Sequence, residues 1–173
     1  MNETMTTILA RRSIRKFTAE AIPEDVLKDI AQAALYAPSG MALKTWKFTV
    51  ISNREVIARL AKAIGAHNGS PDYNMYNPSA LIIPSNDRNN GLGRDDNACA
   101  LENIFLAARS YGVGSVWINQ LSGICDAEDI RPVLKELGIP DHHVVYGMAA
   151  LGYADPAAPT PQYKPGGEIQ FIK

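Results

Sequence analysis

Four of the chain's seventeen lysines and arginines fall in one six-residue run, Arg11-Arg12-Ser13-Ile14-Arg15-Lys16. Guanidinium groups present several N–H donors in a fixed fork, and a hydroxyl between them adds another, so this pattern suits a compact anion such as a phosphate. The rest of the chain carries no matching excess, because the formal net charge is only −1 and the pI is about 6.3. A nucleic-acid binder spreads positive charge over a face or a whole domain, so the functional reading is a local anion pocket. A second reading stands beside it. Met5, Ile8 and Leu9 have the spacing of a short helix, and cations at its C-terminal end would complement the helix dipole without binding anything.

Other chemistry is thinly represented. His67, His142 and His143 are scattered, adjacent His142 and His143 are expected on opposite faces of a strand, and no metal site is expected. Cys99 and Cys125 have neither disulfide-framework nor zinc-type spacing, and Cys99, among Ala98, Ala100 and Leu101, is expected to pack as a small hydrophobe. The chain has no Gly-x-Ser-x-Gly elbow, no Walker loop and no Gly-x-Gly-x-x-Gly fingerprint; Gly112-Val113-Gly114 follows a helix and enters a strand, the reverse of a dinucleotide turn. With no obvious acid, base or nucleophile, an enzyme built on this sequence needs a cofactor to carry its reaction.

The elements that must position these residues are short and alternate in type. At 173 residues with 46% hydrophobic content, the chain suits one domain with a proper core. No apolar stretch reaches the length that spans a bilayer, and the N-terminus lacks the layout of a secretory signal, so a cytoplasmic protein is expected. A helix opens at Pro23, with Glu24 and Asp25 in its first turn, and ends at Pro38. Trp46 to Ser52 alternates like a half-buried strand, with Trp46, Phe48 and Val50 on one side. A helix is expected from about Arg54 to Ile64 with Gly65 as its stop, then loop from Ala66 to Asn77. A buried strand over Ser79 to Ile83, a loop over Ser85 to Asp95, and a helix from near Asp96 to a stop at Gly112 follow. Val113 to Ile118 reads as a strand, Asp126 with Asp129 as the start of a helix closed by Gly138, and His143 to Tyr153 as the last strand. From Ala154 a tail with four prolines is expected to wrap over the body or a partner.

Several of these segments together resemble the FMN-dependent nitroreductase-like oxidoreductases. Arg11 to Phe17 is similar to that family's N-terminal flavin motif, and Ala37-Pro38-Ser39-Gly40-Met41-Ala42-Leu43-Lys44-Thr45-Trp46 to its second motif. Asp96 through Ala108 resembles its central helix, while Gly112 to Asn119 and Ala150-Leu151-Gly152-Tyr153 resemble its strands near the flavin. The segments run in family order over nearly the whole chain. The resemblance implies an α+β fold: a three-layer sandwich in which a mixed, mainly antiparallel sheet is flanked by helices, one domain over residues 1–173, with 154–173 as the tail, assembled as a homodimer with a flavin at the interface.

Roles carry over position by position as implications of that resemblance. Arg11, Arg12 and Ser13 match residues that hold the FMN phosphate and ribityl chain, and Arg15 a cation at the N1/O2 edge of the ring, where negative charge gathers on reduction. Pro38, Ser39 and Gly40 match a segment that reaches the partner's flavin. Asn119 and Gln120 match the stretch whose main chain approaches flavin N5, and Lys164 a second phosphate cation in the tail. Tyr73, Asn74 and Tyr76 lie in the polar loop and could border the substrate, or pack as ordinary loop aromatics. Ala42 stands where the family usually has Asn, and Lys44 where it often has Gln; Ala42 offers no amide to a flavin.

The implied activity is hydride transfer from NADH or NADPH through FMN to a flat electron acceptor such as a nitroaromatic or quinone, the two small molecules using one site in turn. Two other readings stay open: the same flavin fold performing ene reduction, dehalogenation or flavin reduction, and a non-enzymatic protein using the basic run to bind an anion.

Overall fold

Alternate residues of the central strands face two separate hydrophobic cores in the computed structural model, which describes residues 1–173. The sheet holds β1 (Trp46–Ile51), β2 (Ala80–Asp87), β3 (Gly114–Ile118), β4 (His143–Val144) and β5 (Met148–Gly152). Their order is β1-β2-β5-β3, with β4 pairing the far end of β2, and every ladder is antiparallel. The parallel contribution is a single bridge between Ser13 and Ser115. Along β2, Leu81 and Ile83 face a core shared with α3 (Arg54–His67) and α5 (Arg131–Glu136), whereas Ala80 and Ile82 face one shared with α2 (Glu24–Leu35) and α4 (Gly93–Ser110). Helix, sheet, helix is therefore the layering, the α+β sandwich that the family resemblance implied. Outside it lies α1 (Glu3–Ala10), whose N-terminus is capped by Asn2 Oδ1 accepting from Met5 N at 2.9 Å and which buries no residue of its own.

Several expectations from local pattern are corrected by tertiary contacts. Gly65 does not end α3. A Cβ there would lie 2.5 Å from the Ser70 carbonyl oxygen, so glycine is present for close packing, and the turn falls at Gly69 with φ +68°. β2 runs four residues past Ile83 and buries Ser85 and Asn86, polar residues that read as loop. It accommodates Pro84 because β5 pairs only with residues 80–82 and β4 with 86–87, leaving a gap on that side.

The segment His143 to Tyr153 is two strands, because the chain leaves the ladder over Val145-Tyr146-Gly147, where a Cβ on Gly147 would lie 2.6 Å from the Trp117 ring. His142 and His143 do not point apart: β4 begins only at His143, and the two rings pack edge-on with centroids 4.7 Å apart. Helix α4 starts three residues before Asp96, and its inward set of Ala100, Leu101, Ile104 and Ala108 leaves Cys99 exposed instead of packed. Helix α5 begins at Arg131, after turns that occupy residues 119–130. No helix is long and apolar enough to cross a membrane. The tail starts anchored, with Phe17 bridged to Ala154 and Asp155 N donating to Lys16 O at 3.0 Å, yet Ile169, Phe171 and Ile172 near its end are all more than 80% exposed.

Candidate functional site

The basic run is held as an extended edge rather than as the end of a helix. Helix α1 stops at Ala10, and Arg11 has φ −61° and ψ 135°. Ile14 N then donates to Ser115 O at 2.9 Å, which lays the run along β3. Three adjoining cavities of about 290, 210 and 170 Å³ line this edge; the largest also touches Pro156 and Thr160 of the tail, and the smallest touches Val116 and Trp117 of β3.

The cations differ in what they already bond. Arg12 donates through Nη1 to Leu9 O and Arg11 O, both at 2.7 Å, so one arm of its guanidinium serves the C-terminal carbonyls of α1. Its guanidinium also lies 5.3 Å from the centre of the Tyr163 ring, bringing the neighbouring Lys164 to the same edge of the protein. Arg11 has only a long ion pair, 3.8 Å from Nε to Glu102 Oε1 on α4, with the carboxylate half exposed. Arg15, Lys16, Lys164 and the Ser13 hydroxyl make no intramolecular side-chain bond.

The second motif folds around Asp96 on α4, a carboxylate only 3% exposed. Its Oδ1 accepts from Gly40 N at 2.8 Å, and its Oδ2 from Ser39 Oγ at 3.0 Å and Asn90 Nδ2 at 3.3 Å. Ser39 Oγ accepts in turn from Lys44 N at 3.0 Å, closing the loop on itself. Asn90 Nδ2 also donates to Thr45 Oγ1, which donates to Asn86 Oδ1 at 2.6 Å, so the loop joins the buried polar end of β2. Gly40 is constrained sterically as well: a Cβ would stand 2.3 Å from Leu92 Cδ1. Between these anchors Met41, Ala42 and Lys44 adopt φ values of 51°, 54° and 49°, a left-handed conformation that costs non-glycine residues roughly 1–2 kcal/mol each. Pro38, Met41, Ala42, Leu43 and Lys44 are exposed.

Asn119 and Gln120 follow β3 directly and are exposed; Asn119 N donates to Gln120 Oε1 at 3.0 Å. Tyr73, Asn74 and Tyr76 lie elsewhere. Tyr73 packs at the edge of the α3 core, where burial pushes its hydroxyl up to about 12, and that hydroxyl has no partner. Asn74 Oδ1 accepts from Tyr76 N in a turn whose residues Met75, Tyr76 and Asn77 all have positive φ. None of these three aromatic-loop residues lines the cavities along the Arg11–Lys16 edge.

Asp96, Asn90 and Trp117 escaped reading from the sequence. A buried carboxylate in the first turn of a helix looks like a helix-dipole partner, and only the return of residues 39–45 shows what it binds. Trp117, 40% exposed, sits between Phe105 and Gly147 beside Arg11 and Ser13. An aromatic at a strand end carries no signal of that kind.

Comparison with known proteins bears on this arrangement. The model of the nitroreductase family matches residues 8–80 and 71–153. An NADPH-flavin oxidoreductase of Vibrio harveyi is 31% identical over 176 residues, covering 95% of this chain and 70% of that protein. A crystal structure of a nitroreductase with bound FMN from Bacteroides fragilis superposes with a TM-score of 0.91 at 38% identity, covering all of both chains. Another FMN-bound nitroreductase, from Desulfitobacterium hafniense, gives 0.87 at 26% identity, again over both chains entire.

Proposed function

The chain belongs to the nitroreductase family, and on that premise we propose that this oxidoreductase binds FMN along the Arg11–Lys16 edge and acts as an NAD(P)H-dependent reductase of nitroaromatics, quinones or similar flat acceptors. The observation that carries the reading is the set of donors left without internal partners along the adjoining cavities of this edge: Ser13, Arg15 and Lys16, with Arg11 only loosely paired beside Trp117. A folded protein has little reason to gather like charges along one groove unless an anion joins them. The donor set suits a phosphate at one end and the polar edge of a flavin further along.

When bound, FMN would supply the redox chemistry that links NADH or NADPH to the acceptor. The chain's own part is binding and orientation. Arg11, Ser13 and Lys164 would hold the phosphate, with Arg12 bracing the end of α1 and contributing the arm it does not use there. Arg15 would supply positive charge to the polar edge of the flavin, and the main chain at Asn119 and Gln120 would supply an N–H donor to the ring, the Asn119 N–H being bonded to Gln120 Oε1 in the free chain.

The second motif supports a homodimer. Glu102, beside Arg11, and Asp96, beneath Ser39 and Gly40, are six residues apart on α4, which sets them about 9 Å apart along the axis and about 240° around it. One chain therefore presents its two flavin-associated motifs on different sides of one helix. Pro38, Ser39, Gly40, Ala42 and Lys44 are free to reach a flavin held mainly by a partner chain, and the exposed end of the tail supplies apolar surface to wrap that partner. A cytoplasmic location accords with this reading. Purified protein with FMN added should show flavin absorbance at one FMN per chain and oxidise NADH or NADPH when a quinone is supplied. Absence of flavin bands would sink the proposal.

A further inference from the structure

One cavity lies apart from the Arg11–Lys16 edge, and neither flavin motif uses it. It measures about 370 Å³, within the usual range for small-molecule sites, and is lined by Arg88, Arg94, Ser122, Gly123 and Tyr146 among others. Its wall adjoins the proposed site at the end of β3, through the turn that follows Asn119. Ser122 N donates to Asn119 O at 3.0 Å, and Arg94 reaches the cavity from the first turn of α4, on the side of the helix away from Asp96.

The charges around this cavity are unequal in their commitments. Asp126 accepts a two-pronged pair from Arg88, at 2.9 and 3.0 Å, and a third bond from Arg131 at 2.7 Å. Those bonds, Arg88's foremost, hold its carboxyl down to about 2, so it is an anion already shared between two arginines. Arg88 also donates to Asp141 O. Arg94 has no acidic partner and no hydrogen bond within the chain; its guanidinium rests 5.5 Å from the centre of the Tyr146 ring, facing the cavity. It is also the second residue of α4, where a cation opposes the helix dipole, while Asp95 and Asp96 supply the favourable charge. A stacked guanidinium keeps its donor edge available in a fixed direction, which is the arrangement that recognises carboxylates and phosphates.

We propose that Arg94 is a specificity-determining residue that takes the anionic group, carboxylate or phosphate, of a small molecule visiting the flavin. The inference rests on the reading of the chain as a flavin reductase and adds to it a ligand class: small molecules that carry an anionic group beside their redox-active ring. The anion comes either from an acceptor's carboxylate or from the 2′-phosphate of NADPH, and the experiment separates the two.

The FMN-loaded protein is titrated calorimetrically with 4-nitrobenzoate and with 4-nitrobenzamide, which match in shape and differ in charge, and the KM values of both acceptors and of NADPH and NADH are measured. Arg94→Ala should raise the Kd and KM of nitrobenzoate roughly tenfold relative to the amide if an acceptor carboxylate is bound, the loss of about one bond to a charged group. If the nucleotide supplies the anion, the same variant instead raises the NADPH KM relative to NADH. Arg94→Lys, which keeps the charge but loses the fork, should fall between. A nitrobenzoate-to-amide ratio and an NADPH-to-NADH ratio that both stay fixed, with flavin bands intact, overturn this inference alone. Missing flavin bands in the wild-type protein overturn the parent reading together with it.

Discussion

The two sides of α4 use polar groups in opposite ways. On the Glu102 side, Arg11 is loosely paired and Ser13 and the adjoining Arg15 have no internal partner, so the edge is charged and open. Beside Asp96, both oxygens of the carboxylate are bonded, and Ser39, Gly40, Asn90 and Thr45 form a closed, partly buried network under a loop with three strained residues. On the proposed reading the first region contacts a ligand, whereas the second holds a shape. Substitutions on the first side should therefore change binding with little change in stability, and substitutions on the second should change stability first.

The largest contrast is expected from Arg11→Ala combined with Arg15→Ala. Each lost charge-assisted bond removes about 1.5–3 kcal/mol, so FMN affinity should fall on the order of 100-fold or more. Far-UV circular dichroism and the urea midpoint of the flavin-free protein should stay at wild-type values. Retained yellow colour at wild-type affinity would break the assignment of this side to the cofactor.

Asp96→Ala tests the opposite side. It strands the Gly40 N–H, the Ser39 hydroxyl and the Asn90 amide, and should lower stability by about 2–4 kcal/mol, read from the urea midpoint at constant slope. Asp96→Asn keeps one acceptor oxygen and should lose less. A carboxylate that could be removed without cost would show that the network does not hold the loop.

Gly40→Ala sharpens the same point sterically. Its new methyl would meet Leu92 Cδ1 at 2.3 Å, the end of a flexible side chain, so a cost of about 1–3 kcal/mol is expected. Pairing it with Leu92→Ala should recover part of that loss, and the coupling between the two measures how tightly the loop is seated on α4.

The difference between the two sides also explains what the sequence disclosed. The basic run was visible because its residues are neighbours in the chain, and its spacing needed no tertiary knowledge. Helices α2 and α3 and strand β1 were likewise local, written in apolar spacing. The Asp96 network was not legible, because its members come from residues 39–45, 86–90 and 96, and polar residues such as Ser85 and Asn86 read as loop until they are seen buried in β2. Gly65 and Gly147 misled for a related reason. Each is a glycine required by a neighbour distant in sequence, the Ser70 carbonyl and the Trp117 ring, and pattern alone assigned the first to a helix end and passed over the second.

Ala42 is where the two kinds of region meet, and it gives the smallest and most discriminating effect. Its φ of 54° is unfavourable for alanine and tolerated better by asparagine, and its side chain is exposed, so Ala42→Asn has room and should stabilise the protein by a few tenths of a kcal/mol, up to about 1. If the loop also reaches a partner's flavin, the added amide should tighten FMN binding. Ala42→Gly relieves the same backbone strain without an amide, although its gain is offset by the entropy that glycine loses on folding. Tighter FMN binding in the asparagine variant alone would make this strained loop a contact surface as well as a shaped one. Equal FMN affinity in the two variants, each with a shifted thermal midpoint, would confine the loop to a structural role and leave the cofactor to the arginine edge.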